Sequence, residues 1–198
     1  MWHSLRAFLD HPLIGPVVAA VPDPAEASAA LGPVDPRVQL VTGGSTRQAS
    51  VRAALGALPD VDLILVHDAA RPFAGRILID AVIEGARRHG AAVPGVPVPD
   101  TVKRLARSRG LVDTTMPRED LVLAQTPQGF RADLLRRAHD AAERAAIEGP
   151  DDAMLVERLG EPVAVVPGHR LNIKITSPED WGLAEAILRS GSGGAHRG

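Results

Sequence analysis

Short apolar runs alternate with stretches of helical period along most of this sequence. Runs of this kind, bounded by Gly, Pro and Asp turns, are typical of strands buried on both faces of a parallel sheet. The predicted strands are residues 16–21, 37–41, 61–66, 91–98, 121–125 and 162–166, and the predicted helices are 2–10, 25–31, 46–58, 75–88, 131–147, 151–159 and a last one from 177. We therefore predict an α/β fold, a three-layer, doubly wound, Rossmann-like domain with a mostly parallel sheet.

The length and composition narrow the class of protein. A chain of 198 residues suits one large core, so we predict a single domain over residues 1–189 and a disordered, Gly/Ser-rich tail at 190–198. The net charge of −2 argues against nucleic acid or an anionic membrane as a partner, and the lack of cysteine excludes disulfides. No apolar run has membrane-spanning length and the amino terminus lacks signal-peptide features, so we expect a cytoplasmic protein.

Residues 101–115 are too polar for a place in a core. We predict that they form a β-hairpin arm, over about residues 99–118, which projects from the domain toward a partner chain. Just before this segment, Pro94 and Pro97 fall within the predicted strand 91–98. Because proline lacks the N–H that a central ladder needs, we expect a sheet edge, a bulge or an early exit there.

The stretch from Val61 to Pro72 predicts a site at the end of a strand. Its apolar run ends at His67 and Asp68, and Arg71 follows three residues after the acid. In open α/β sheets ligands bind outside the carboxyl ends of the strands, so Asp68 and Arg71 suit a magnesium-bound phosphate or a ribose. Alternatively, Asp68 only caps the next helix and Arg71 pairs on the surface. His67 has no second ligand at metal spacing, and we interpret it as structural.

A second polar cluster begins at Gly43 and Gly44, after the strand 37–41. Glycine allows close approach of the backbone to a ligand, and the N–H groups of the next helix suit an anion or a base edge, although an ordinary strand-to-helix turn has the same pattern. The sequence has neither a G-x-G-x-x-G fingerprint nor a Walker phosphate loop. The cations Lys103, Arg118 and Lys174 suit a phosphorylated substrate, and each one also suits a solvated surface.

Six motifs follow one another in an order that is specific as a set. They are Gly43-Gly44 with Arg47-Gln48 and Ser50-Val51; Val66-His67-Asp68-Ala69-Ala70-Arg71-Pro72; Pro97-Val98 to Asp100-Thr101-Val102-Lys103; Gln125-Thr126-Pro127-Gln128-Gly129-Phe130; Asn172-Ile173-Lys174-Ile175-Thr176; and Pro178-Glu179-Asp180. In this order they resemble the 2-C-methyl-D-erythritol 4-phosphate cytidylyltransferase family of the non-mevalonate isoprenoid pathway. The resemblance covers nearly the whole chain.

The resemblance implies a nucleotidyltransferase that joins CTP and 2-C-methyl-D-erythritol 4-phosphate, a polyol phosphate, into a CDP-alcohol with release of pyrophosphate and with Mg²⁺ as the cofactor. It also implies a homodimer formed through the hairpin arm. The roles it implies are nucleotide binding by Gly43, Gly44, Ser50 and Asp68, and metal binding by Asp68. Substrate binding is implied for Asp68, Thr101, Arg118 and Lys174, with catalytic positioning of the substrate phosphate by Arg118 and Lys174 and with Thr101 reaching the partner's site. Arg71 and Lys103 are secondary candidates.

The sequence departs from the family pattern chiefly at its front. The family begins with a strand, a glycine-rich loop that contains an arginine, and a Pro-Lys-Gln segment, whereas residues 1–5 align within the helix after that loop. We expect from this a misassigned start or a fragment of a longer protein, and two unpaired strand edges in the sheet. If the chain is complete, we expect poor stability and little or no cytidylyl transfer. Smaller departures occur at Ser45, Thr46, Ala49 and Pro150.

Two other functions are compatible with the same residues. One is CTP-dependent transfer to ribitol 5-phosphate or a similar polyol phosphate. The other is a non-catalytic nucleotide-binding or dimer-partner protein.

Overall fold

Helices and strands alternate along the computed structural model, which describes residues 1–107 and 110–190. The helices are α1 (Trp2–Leu9), α2 (Pro24–Leu31), α3 (Arg47–Ala57), α4 (Arg76–His89), α5 (Ala132–Arg144), α6 (Asp152–Glu157) and α7 (Pro178–Arg189), with a 3-10 helix at Arg118–Asp120. The strands are β1 (Val17–Val21), β2 (Val38–Thr42), β3 (Leu63–Val66), β4 (Ala91–Pro97), β5 (Lys103–Leu105), β6 (Val112–Thr115), β7 (Val122–Ala124), β8 (Gln128–Arg131) and β9 (Ala164–Pro167). Of the tail predicted to be disordered, residues 191–198 lie outside the described residues.

Side-chain caps fix where several helices begin. Asp23 accepts hydrogen bonds from two backbone N–H groups at the start of α2, and Asp151 accepts one from Met154 at the start of α6. Ser177 and Asp180 form a reciprocal capping box before α7, with proline in its first turn. No helix in the described ranges is long and apolar enough to cross a membrane.

The sheet is mixed, whereas the sequence predicted a mostly parallel one. β1 and β2 form a parallel pair. β8 runs antiparallel between β3 and β4, β7 runs antiparallel along the end of β4, and β9 lies parallel to β4 on its other side. The prediction failed because β8 went unrecognised: the sequence predicts a turn over residues 126–130. Only Phe130 in that segment is a large apolar residue, and buried Gln128 hides the strand pattern.

β4 is a central strand despite its prolines, so of the three expectations an edge position is wrong, whereas the antiparallel pairing does change register between Ala92 and Gly95. On its antiparallel side, β8 pairs with Ala91 and Ala92, and β7 takes over at Gly95. Pro94 is buried between these two ladders, at the point where the neighbouring strand changes. The missing N–H therefore interrupts neither antiparallel ladder.

The helices cover the sheet on two faces, as a three-layer fold requires. Leu63 and Leu65 of β3 pack toward Phe8 of α1 and Ile79 of α4. The alternate residues of β3 belong to the larger core cluster, which includes side chains from α3, α5 and α6. This alternation is the period of two that a strand buried on both faces shows.

β5 and β6 form a separate antiparallel pair over part of the predicted hairpin. Most of their side chains are exposed, in agreement with the polar composition of this segment. The connection between the strands includes residues 108 and 109, which lie outside the described ranges. That the hairpin acts as an arm on a partner chain stays a prediction.

A cleft of about 1440 Å³ separates β1 from β3. Within the described residues, β1 pairs only with β2 and β3 only with β8, so each strand has one free edge, as expected from the sequence. Residues of both strands line the cleft, together with Phe8 and Leu55 from the helices. Arg47 and Asp68 also line the cleft.

Candidate active site

The turn after β3 presents Asp68 in a fixed position. The backbone N–H of Asp68 donates to Thr126 Oγ1 at 3.0 Å, and its carbonyl accepts from the N–H of Arg71 at 2.9 Å. His67 completes the turn, since its Nε2 lies 2.9 Å from the Arg71 carbonyl and its Nδ1 lies 3.1 Å from Thr126 Oγ1. A carbonyl can only accept, so Nε2 bears the proton and Nδ1 accepts from the Thr126 hydroxyl.

His67 is therefore structural, as the sequence predicted. Burial lowers the pKa of His67 to about 4, which keeps the imidazole neutral at neutral pH. The neutral ring serves as a hydrogen-bonded strut and packs against Phe8, with ring centroids 4.8 Å apart. This strut connects the turn around Asp68 to the segment before β8.

The carboxylate of Asp68 lies between two cations from distant parts of the chain. Its Oδ1 accepts from Arg47 Nε at 3.2 Å, and its Oδ2 is 2.8 Å from Lys174 Nζ. Burial acts to raise the pKa of Asp68, but Lys174 and Arg47 outweigh it and hold that pKa below its ordinary value. An ionised carboxylate with a partly exposed lysine beside it can exchange partners when an anion or a metal arrives.

Lys174 reaches this position because its segment is pinned to the same turn. Ile175 donates its N–H to the carbonyl of Ala70 at 2.9 Å. The fully buried Asn172 donates from its amide to the Thr126 carbonyl at 2.9 Å. Arg71 adds a third connection, from its Nη1 to the Asn172 carbonyl at 2.8 Å.

Arg71 therefore has a structural role, through its contact with the Asn172 carbonyl. Burial lowers the pKa of its guanidinium, against a smaller opposing effect of Asp68. The surface ion pair that the sequence left open for Arg71 is not formed among the described residues. Arg71 holds the lysine segment in place beside the strand end.

The Gly43–Gly44 turn lies between β2 and α3 and is closed by Ser50. The Gly44 N–H donates to Ser50 Oγ at 3.1 Å, and the Ser50 hydroxyl donates to the Thr46 carbonyl at 2.9 Å. A Cβ on Gly44 would lie 2.4 Å from the Cβ of Ala49. Glycine is needed there because the turn packs directly on the first turn of α3.

Arg47 joins this turn to the acid and was not among the residues assigned a role from the sequence. It lies in the first turn of α3, and its Nη2 is 2.8 Å from Asp152 Oδ2 while its Nε contacts Asp68. Burial acts to lower the pKa of Arg47, but Asp152 and Asp68 outweigh it and raise that pKa. The sequence signal that could have identified Arg47 was its place just after the glycine turn, at the start of α3.

Asp152 and His139 were also missed. Asp152 is fully buried, and His139 Nε2 donates to its Oδ1 at 2.9 Å. In the sequence they lie within two predicted helices, 131–147 and 151–159, with little to set them apart. A second acid directly after a capping acid was the only local signal.

The other predicted residues do not join this cluster. Arg118 Nη1 donates to the Pro99 carbonyl at 2.9 Å, and Lys103 Nζ donates to Thr115 Oγ1 at 2.7 Å. Thr101 is exposed in the loop before β5. The structure thus assembles Gly43, Gly44, Ser50, Asp68 and Lys174 around α3 and the end of β3, and leaves Arg118, Lys103 and Thr101 at the hairpin.

The described residues contain no group of three or more histidines or acids that could hold a metal alone. Asp68, which lines the cleft, is ionised and partly open to solvent. Magnesium commonly binds through one or two carboxylates together with substrate phosphates. The donor set therefore fits a metal shared with a phosphorylated ligand, and does not fit a self-contained metal site.

Comparison with known proteins gives a consistent result. The family model for IspD, 2-C-methyl-D-erythritol 4-phosphate cytidylyltransferase, matches residues 1–190. Relatives of that name from Solibacter usitatus and Thermus thermophilus are 45% identical over 196 residues and 47% identical over 186 residues. These alignments cover 96% of the chain and 80% of the first relative, and 94% of the chain and 82% of the second.

Solved structures give the same result for the fold. The crystal structure of 2-C-methyl-D-erythritol 4-phosphate cytidylyltransferase from Thermus thermophilus superposes with a TM-score of 0.82 at 44% identity, covering 95% of this chain and 88% of that one. A 4-diphosphocytidyl-2C-methyl-D-erythritol synthase from Anaerococcus prevotii superposes with a TM-score of 0.87 at 31% identity, covering 94% and 87%. The α/β fold class predicted from the sequence is confirmed.

Proposed function

Because the chain belongs to the 2-C-methyl-D-erythritol 4-phosphate cytidylyltransferase family, we propose that its site transfers a cytidylyl group from CTP to 2-C-methyl-D-erythritol 4-phosphate. The observation that supports this most directly is the Asp68 carboxylate held between Arg47 and Lys174 at the end of β3. In this reaction the substrate phosphate oxygen bonds to the α-phosphorus of CTP, and the bond to the departing pyrophosphate breaks. The work of the protein is positioning and charge neutralisation.

Each cluster has a role in this proposal. The Gly43–Gly44 turn, closed by Ser50, binds the cytosine. Asp68 binds at the ribose and phosphates. Lys174 leaves Asp68 and binds the phosphate of the acceptor, which exchanges one charge-assisted contact for another. Arg118 from the hairpin base binds the same phosphate.

Magnesium is part of the proposal, with Asp68 as its protein ligand. Asp68 would hold the metal with its carboxylate, which pairs with Lys174 through Oδ2 in the free chain, in the manner of magnesium sites that use one or two carboxylates with substrate phosphates. When bound, the metal neutralises charge on the triphosphate.

We propose further that the protein is a homodimer through the β5–β6 hairpin and that Thr101 of each chain reaches the partner's site. Support comes from three exposed apolar side chains on or beside the hairpin, Leu105, Leu111 and Val112, which are 57–60% exposed. Exposed apolar clusters of this kind mark contact surfaces. A cytoplasmic location stays a prediction.

The function is tested by pyrophosphate release from CTP with Mg²⁺ and either 2-C-methyl-D-erythritol 4-phosphate or ribitol 5-phosphate. We expect turnover with the first acceptor. Turnover with ribitol 5-phosphate alone would assign the other acceptor, and CTP binding without pyrophosphate release would contradict the proposed activity.

Lys174→Met tests the role of the lysine. We expect KM for the acceptor phosphate to rise about 10- to 100-fold, the value of one charged hydrogen bond of about 1.5–3 kcal/mol. KM for CTP should change much less. The matched control for the loss of one exposed cation is Arg88→Met. Arg88 lies on α4 and pairs with Glu84 of the same helix. An unchanged acceptor KM in Lys174→Met would remove Lys174 from the phosphate site.

A further inference from the structure

A buried acid lies directly behind the site. Asp152, the first residue of α6, is 0% exposed and contacts His139 on α5 at 2.9 Å and Arg47 on α3 at 2.8 Å. It is not needed to cap α6, because Asp151 accepts the N–H of Met154 and also receives the side-chain amide of Gln128. A buried carboxylate without such a duty is costly and needs partners.

Arg47 contacts Asp152 and Asp68 with two different nitrogens of one guanidinium. Nε meets Asp68 at 3.2 Å and Nη2 meets Asp152 at 2.8 Å, the latter as an ion pair and not as a well-aligned hydrogen bond. The guanidinium is planar and rigid, so fixing one nitrogen fixes the direction of the others. The position of Asp152 therefore sets where Arg47 meets Asp68.

The contact is not required to dock α3 on the rest of the fold. Gln48, the next residue, already bonds to the Ile147 carbonyl at 3.0 Å and to the Gly149 N–H at 2.9 Å. Arg52 pairs with Asp140 of α5 at 2.9 Å, further along the same helix. Since a buried ion pair adds little to stability compared with a well-packed apolar group, docking alone does not explain Asp152.

We propose that Asp152, oriented by His139, is a positioning residue that holds Arg47 and through it the carboxylate of Asp68. This inference rests on the proposed function and deepens it. Asp152 offsets the charge of Arg47, so Asp68 is oriented by Arg47 without being fully neutralised by it. Without Asp152, Arg47 has Asp68 as its remaining counter-charge and draws the carboxylate away from the nucleotide.

The kinetic test is a double-mutant cycle of Asp152→Asn and Arg47→Lys. Lysine keeps the charge but cannot contact two carboxylates as a fork does. We expect each single change to lower kcat about 10- to 100-fold, as misplacement by about 1 Å does, with a smaller change in KM for CTP. The double variant should be no slower than the slower single variant. Additive losses, or an Asp152→Asn variant with unchanged kcat, would overturn the proposal.

Two sets of variants separate positioning from docking. Arg52→Lys with Asp140→Asn removes a second Arg–Asp pair of α3, the more exposed one that joins it to α5, and we expect kcat to stay unchanged. At residue 139, glutamine retains a donor for Asp152 and leucine does not. We expect His139→Gln to keep more kcat than His139→Leu, and equal kcat for the two would contradict a positioning role. The His139 variants also decide the question if Asp152→Asn does not fold.

A spectroscopic measurement makes the result independent of turnover. The Nε–H resonance of Arg47, assigned by its loss in Arg47→Lys, should shift and exchange faster with solvent in Asp152→Asn. It should stay in place in Asp140→Asn. If the wild-type chain releases no pyrophosphate, the proposed function fails while this signal still decides whether Asp152 positions Arg47. An Arg47 resonance that does not respond to Asp152→Asn would refute the inference.

Discussion

His67 shows how one partly buried side chain can hold a site without taking part in its chemistry. Its two ring nitrogens bond to the Arg71 carbonyl and the Thr126 hydroxyl, and the same hydroxyl oxygen accepts the N–H of Asp68. Protonation of Nδ1 would replace its acceptor with a second donor that faces a hydroxyl. The neutral ring is thus a condition for the turn that presents Asp68.

This requirement predicts a loss of stability in mild acid. The pKa of His67 is about 4 in the folded chain, against 6.5 for an ordinary histidine, so between these values the unfolded chain binds a proton that the folded chain does not. His67 therefore contributes its full stability above pH 6.5, and this falls as the pH drops toward 4. The difference corresponds to about 3 kcal/mol. Urea unfolding from pH 7 to pH 4.5, without metal or nucleotide, measures it.

Two variants test this prediction, one at His67 and a control at another histidine, His89. His67→Gln should flatten the dependence of unfolding free energy on pH between 6.5 and 4.5, because glutamine offers a donor and an acceptor that do not titrate in this range. His89→Gln, at the exposed end of α4, should leave the dependence as in the wild type. Parallel curves for His67→Gln and the wild type would contradict the assignment.

Among single residues, the sequence predicted those next to recognisable turns and missed those defined by distant partners. Asp68 and Gly44 follow strand ends, and Lys174 lies in a motif. Asp152 and His139 have roles only through a tertiary contact between α5 and α6. Local patterns contain no information about which buried acid meets which cation.

At the scale of single elements, the hairpin is the segment whose role is most open to test. β5 and β6 pair with each other, and within the described ranges they join neither of the other sheets. A two-stranded hairpin alone is marginally stable in water. Contact with a second copy of the chain would bury its exposed apolar side chains and supply the missing stability.

We predict that Leu111→Asp or Val112→Asp shifts the protein from dimer to monomer in sedimentation velocity. A charge at a buried contact is costly, whereas the same change on a free surface is nearly neutral. Activity should fall together with dimer content, since Thr101 acts across the interface in our proposal. Leu188→Asp on α7, at a side chain that is 50% exposed, is the matched control. A monomeric wild-type chain, or an unchanged dimer in both hairpin variants, would reject the interface.

Element boundaries followed the sequence closely where apolar period and caps agreed, as for α7 and its capping box. The prediction missed β8 because a buried residue of this strand makes polar contacts in place of apolar ones. The Gln128 amide donates to Asp151 and accepts from the N–H of Ala153, so a polar residue occupies a core position. The antiparallel course of β8, together with that of β7, turned a sheet predicted to be mostly parallel into a mixed one.

At the scale of the whole molecule, the free edges of β1 and β3 face one cleft. Val17 donates to Arg37 beside β2 and Val21 accepts from Gly43, so the odd residues of β1 bond toward β2. The Asp62 carbonyl accepts from Ala132, so the even residues of β3 bond toward β8. Because bonding direction alternates along a strand, the amides of Val18, Ala20, Leu63 and Leu65 point into the cleft.

These four amides should exchange with deuterium much faster than Ala19, Val21, Ile64 and Val66, their neighbours in the same strands. The comparison is internal, since both sets share the same local unfolding and differ only in ladder partners. Two-dimensional NMR after transfer to D₂O resolves the alternation residue by residue. Equal protection within β1 and within β3 would contradict the open cleft. Protection of all four amides together would mean that a strand lies in the cleft. A single segment between β1 and β3 would pair with both free edges at once.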